Sequence, residues 1–149
     1  MTMLPLLKKL QGGDRRSIGK VDAVVEDIRN EPKLFEVLVD GLFEADPLIR
    51  MRAADAVEKT TRDHPEYLQP FKLQLISLAG RTAQQEVKWH RAQILPRLVL
   101  EPAEKKEIEK YLFLYLNDKS KIVVTFALQA LTDFAITECL FAEGGRPGL

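Results

Sequence analysis

The chain has 149 residues, 46% of them apolar and 30% charged, a size and balance suited to one globular domain. Lys and Arg together number 22, as do Asp and Glu, which argues against a dedicated nucleic-acid binder, since such proteins carry a basic excess. The single cysteine, Cys139, excludes an intrachain disulfide and points to a reducing, cytoplasmic compartment. The longest apolar stretch, Ile122 to Ile136, contains Gln129 and Asp133 and reads as too short to span a bilayer.

In the first thirty residues, Leu4, Leu7 and Leu10 predict a short helix that Gly12 and Gly13 break. Lys8 and Lys9 follow the apolar residues, the reverse of the order in a signal peptide. Asp14 stands where it would cap a second helix with Ile18, Val21, Val25 and Ile28 on one face. The stretch from Gly13 to Lys20 has the look of a phosphate loop but fails on spacing. Five residues separate its glycines where four are needed, and Val21 follows the lysine where Ser or Thr would bind magnesium.

From residue 31 onward prolines mark an internal repeat. Arg29-Asn30-Glu31-Pro32-Lys33-Leu34-Phe35 aligns with Arg62-Asp63-His64-Pro65-Glu66-Tyr67-Leu68, and Leu100-Glu101-Pro102 opens a third copy. Each proline precedes a stripe of helical period: Leu34, Phe35, Leu38, Val39 and Leu42; then Leu68, Phe71, Leu75 and Ile76; then Ile108, Tyr111, Leu112 and Tyr115. A second helix is predicted in every copy. Asp46 and Pro47 open one as N-cap and first helical residue, and its body carries Ile49, Ala53, Ala54, Ala56 and Val57. Val87, Ala92, Ile94 and Leu95 correspond in the next, and Val123, Ala127, Ala130 and Leu131 in the last. Pro96, inside the predicted second helix of the third copy, either kinks that helix or ends it early. The units are thus helical pairs over 1–30, 31–64, 65–101 and 102–138, forming one domain over 1–142. The tail 143–149 has no periodicity and is expected to be loose.

The run Asp46-Pro47-Leu48-Ile49-Arg50-Met51-Arg52-Ala53-Ala54-Asp55-Ala56-Val57 resembles the core of a HEAT repeat, of the armadillo-like superhelical class. Glu86-Val87-Lys88 and Ile122-Val123-Val124 are looser matches without the Asp-Pro turn. The resemblance covers 31–138 well and 1–30 weakly. It implies an all-α, right-handed α-solenoid of about four helix pairs, with the second helices lining the concave side.

On that orientation, corresponding outward positions form three rows across the repeats: Arg52, His90 and Phe126; Asp55, Gln93 and Gln129; Lys59, Arg97 and Asp133. Trp89 stands beside the first row. A basic and aromatic middle of the concavity is expected, and Arg52, Lys59, Trp89, His90, Arg97 and Phe126 are the candidate partner-binding residues, since Trp and Arg dominate interface energetics. The alternative for Trp89 and Phe126 is packing between helices, and for the charges a solvated face.

Nothing in the sequence rises to a catalytic or cofactor site, and none is expected. Glu86 and His90 are four apart and read as an exposed helical pair; two ligands alone do not hold a metal tightly. Cys139, beside Leu140 and Phe141, reads as a small buried hydrophobe. Net charge alternates in sign from pair to pair, so no continuous positive stripe faces successive phosphates. The expected function is a non-catalytic protein–protein interaction scaffold with no membrane partner. The alternatives are a nucleic-acid-binding HEAT-like module and an enzyme subunit of unknown type. Phe134, Ile136, Leu140 and Phe141 predict an apolar end that docks a partner or a second copy through Phe134 and Phe141, unless Phe141 folds back on Leu131.

Overall fold

The computed structural model describes residues 5–12, 20–78 and 84–144, with side chains as far as Cys139, and these contain eight α-helices and no strand. The helices are α1 (Pro5–Lys8), α2 (Val21–Asn30), α3 (Phe35–Gly41), α4 (Pro47–Thr61), α5 (Lys72–Ser77), α6 (Gln85–Ile94), α7 (Pro102–Tyr115) and α8 (Lys121–Gly144). In α4 the predicted start is observed: Asp46 is the N-cap, its Oδ1 accepting the Leu48 N–H at 2.9 Å, and Pro47 takes the first helical position, where its missing N–H costs nothing. Helix α2 begins at Val21 and buries Val21, Val24 and Ile28. The expected cap at Asp14, together with Ile18 and most of the loop-like Gly13–Lys20 stretch, lies outside the described residues.

Helices α2, α4, α6 and α8 pack in series, each against the next, while α1 meets α3, α3 lies on α4 and α7 on α8. One continuous core runs through the series from Leu6 to Phe134. Gly41 permits a close approach in it, because a Cβ there would stand 2.9 Å from Leu7 Cδ2 and 3.0 Å from Ala53 Cβ. Polar side chains tie neighbouring units together. Arg50 Nε donates to Gln84 Oε1 at 3.1 Å, Gln84 Nε2 donates to Pro47 O at 2.8 Å, and Lys88 Nζ donates to Asp118 Oδ2 at 2.7 Å. On the other layer Lys72 pairs with Glu104 at 2.9 Å, and Gln69 brackets the Val99 backbone from both sides.

The first helices are less regular than the repeat predicts. Pro32–Leu34 is a 3-10 turn leading into α3, and Pro65–Phe71 is a longer 3-10 run that leaves α5 only six residues. Pro70 is the reason: inside an α-helix it would remove one backbone bond and crowd the carbonyl of Glu66. Pro96 acts the same way, and of its two predicted outcomes the early end is observed. Helix α6 stops at Ile94, a 3-10 turn covers Leu95–Arg97, and Leu98 is extended.

Three expectations about the carboxyl-terminal part are corrected. Helix α8 continues to Gly144, so Glu143 and Gly144 belong to it and not to a loose tail; residues 145–149 lie outside the described residues. Its Lys121–Cys139 segment is long and apolar enough to cross a membrane by length and composition, because the helix extends beyond the stretch read from the sequence. Cys139 is exposed, not buried, since α8 buries Val123, Ala127, Ala130 and Phe134, and residue 139 falls nearly opposite that face.

Candidate interaction surface

The second helices bring several of the singled-out residues together, though not as a row of free side chains. Arg52 is buried, at 1% exposure, which corrects its placement as an outward residue. Its guanidinium donates to Leu10 O at 2.8 Å and to Gly12 O. It fastens the α1 end of the chain to α4, and a group so enclosed is out of a partner's reach.

Lys59, His90 and two neighbours from the second predicted row form one cluster between α4 and α6. Lys59 Nζ lies 3.3 Å from Asp55 Oδ2 and 3.7 Å from Asp22 Oδ1. His90 Nε2 stands 3.9 Å from Asp55 Oδ1, and its Nδ1 is 3.0 Å from Gln93 Oε1. Burial pushes the His90 imidazole below its ordinary pKa, and the opposing pull of the Asp55 carboxylate and Gln93 does not offset it. The Glu86–His90 pair is not an exposed helical pair as expected, because Glu86 is buried and the ring faces Asp55 and Gln93. Trp89 is half-buried against the core with its ring tilted on His90, and Phe126 likewise packs on the core.

Arg97 belongs to a second cluster, around a carboxylate the sequence does not single out. Glu58 is buried at 1% exposure. Arg97 donates to Glu58 Oε2, to Glu58 O and to Thr61 Oγ1, each at 2.8 Å, while Arg62 donates to both Glu58 oxygens. Burial raises the Glu58 carboxyl, but the hydrogen bonds and charges of the two guanidinium groups outweigh it and hold the carboxyl below its ordinary range. The only advance signal is the four-residue spacing of Glu58 and Arg62. The link to Arg97 spans 39 residues and has no local signature. A similar case is Arg91, buried against Tyr115 OH and Leu75 O.

Beyond Arg97 the surface opens. A cleft of about 390 Å³ lies between α6 with its 3-10 extension and α8, lined by Gln93, Pro96, Arg97, Asp133, Ile136 and Thr137. It joins members of the second and third predicted rows. Ile136 is 53% exposed, and Ile122, two heptads earlier on the same face, is 47% exposed. The cleft thus has an apolar rim, a carboxylate in Asp133 and a guanidinium edge in Arg97. Among the described residues no group of three or more His, Cys, Asp or Glu converges as metal ligands would. No family model, curated protein or solved structure matches the chain.

Proposed function

We propose that this chain is a short solenoid of HEAT-like helix pairs acting as a non-catalytic protein-binding scaffold, and that its cleft between α6 and α8 receives a segment of the partner. The observation that carries this reading is the cleft itself, where Gln93, Arg97 and Asp133 sit beside exposed Ile136. Peptide segments are held by such a mixture: apolar contact for affinity, with a few polar groups to fix orientation. Helix pairs in series extend that surface along α4, α6 and α8 without a new fold.

The nucleic-acid alternative draws less support from the same residues. Lys59 and Arg97, the cations expected on this face, are matched to Asp55, Asp22 and Glu58. A phosphate contact would have to displace those carboxylates, whereas nucleic-acid affinity comes from cations free to replace counterions.

A photocrosslinking residue at Ile136, used in extract of the native cells, tests the reading. It is expected to join the chain to a discrete protein species, while the same probe at Leu73, 72% exposed on α5, gives none. Equal labelling from both positions, or nucleic acid as the captured species, would contradict the reading.

A further inference from the structure

The series of second helices has a directional rule. Arg50 and Lys88, at corresponding places on α4 and α6, each reach forward to the next unit, to Gln84 and Asp118. Thr61 and Glu58, further along α4, meet Arg97 of the next unit. The face of α4 that carries Arg50, Ala54, Val57 and Thr61 is therefore the face turned toward α6, and Ala54, Val57 and Thr61 are buried there. At the corresponding places Ala92 on α6 and Leu95 in the 3-10 turn after it are also buried, with α8 packed on that helix, while Val99, the counterpart of Thr61, lies beyond the turn and is exposed.

On α8 the same stripe is Val124, Leu128, Leu131 and Ala135; Leu131 packs in part against the core, but among the described residues no further second helix lies over the stripe. Leu128 is 51% exposed, Ala135 is exposed, and Val124 and Leu131 are half-buried. Its chemistry also changes. Val124 stands where Arg50 and Lys88 reach forward, and bulky Leu128 stands where Ala54 and Ala92 admit the following helix. The stripe is thus not built to receive another unit by the same rule.

We propose that this stripe pairs with the same stripe of a second copy of the chain, the two α8 helices running antiparallel. The spacing carries the argument. Lys121, Val124, Leu128, Leu131, Ala135 and Glu138 alternate steps of three and four, the a and d positions of a heptad seam. In antiparallel register Leu128 faces the second copy's Leu131, Val124 faces its Ala135, and Lys121 faces its Glu138. Each contact occurs twice, as two-fold symmetry requires. The apolar centre holds no charge to desolvate, and the two ends carry opposite charges that match only in the antiparallel direction. Head-to-tail stacking fits less well, because α2 at the other end of the series exposes Asp22, Glu26 and Arg29 and no large apolar side chain. Phe134, expected to anchor such a contact, does not take part: it is buried with Lys105 Nζ over its ring. The side chain of Phe141, and so its alternative contact with Leu131, lies outside the described residues.

Sedimentation equilibrium of the full chain over a range of concentrations tests this. A reversible monomer–dimer equilibrium is expected, which Leu128→Lys weakens by about tenfold or more while helical circular dichroism is retained. Lys121→Glu and Glu138→Lys are each expected to weaken the dimer, and the two together to restore it. That restoration does not follow from loss of the Lys105–Glu138 pair alone. A chain monomeric at every concentration overturns the proposal, as does a dimer indifferent to Leu128→Lys or a charge swap that fails to restore. A monomer that floats with phosphatidylcholine vesicles and loses that binding in Leu128→Lys also overturns it, by giving the stripe to a membrane.

Discussion

The charged side chains that most resemble binding residues in the sequence are, for the most part, the ones the fold uses internally. Arg52 holds the α1 end by backbone carbonyls, and Arg97 closes on Glu58 and Thr61. The His90–Asp55–Lys59 cluster and Glu58 make stability sensitive to acid, with a sign that can be worked out. The His90 imidazole has a lowered folded pKa, so below about 6.5 the unfolded chain takes up a proton that the folded chain does not. Stability therefore falls as the pH drops from about 6.5 through the folded value of His90. Glu58 acts in the same direction lower down: its folded pKa is also depressed, and its contribution disappears as pH falls through the carboxylate range. Urea midpoints measured from pH 8 to pH 5 are expected to decline for the natural chain, and His90→Gln is expected to flatten that decline. An unchanged slope in His90→Gln would assign the pH dependence elsewhere. None of this was legible in the sequence, where a lone histidine on a helix gives no measure of its burial.

At the scale of elements, the second helices were legible and the first helices less so, for a physical reason. The second helices α4 and α8 carry several alanines and aliphatic residues at helical period without a proline in the body, and α4 has an explicit cap in Asp46 and Pro47. Only the end of α6, at Pro96, is open in the sequence. The first helix of the third unit contains Pro70, which overrides the apolar periodicity of Leu68, Phe71 and Leu75 and converts the opening turns to 3-10 geometry. Gly41 shows the converse case, a residue unremarked in the pattern whose lack of a side chain sets the distance between α3, α4 and Leu7. Gly41→Val is expected to cost about 1–3 kcal/mol by overpacking, read as a lower denaturant midpoint with an unchanged m-value. A neutral or stabilising Gly41→Val would show that α1 yields there freely. The cleft beside Arg97 was half legible. Gln93, Arg97 and Asp133 fell on the predicted rows. The roles of Pro96 and Ile136 depend on where α6 stops, which periodicity does not fix.

For the molecule as a whole, the arrangement is a series in which interior helices are covered on two sides and terminal ones on one. Helices α4 and α6 each have a second helix before and after them, whereas among the described residues α8 has α6 and its 3-10 extension before it, α7 alongside and no second helix after it. Protection should follow that order, because an amide in the middle of a series exchanges only when neighbours on both sides open. Hydrogen exchange resolved by helix is the most direct test. The slowest amides are expected in Ile49–Thr60 and Val87–Ile94, with α8 faster and its Val124–Ala135 portion gaining protection as protein concentration rises. Exchange in α4 no slower than in α7 or α8, at any concentration, would contradict a serial packing of the second helices.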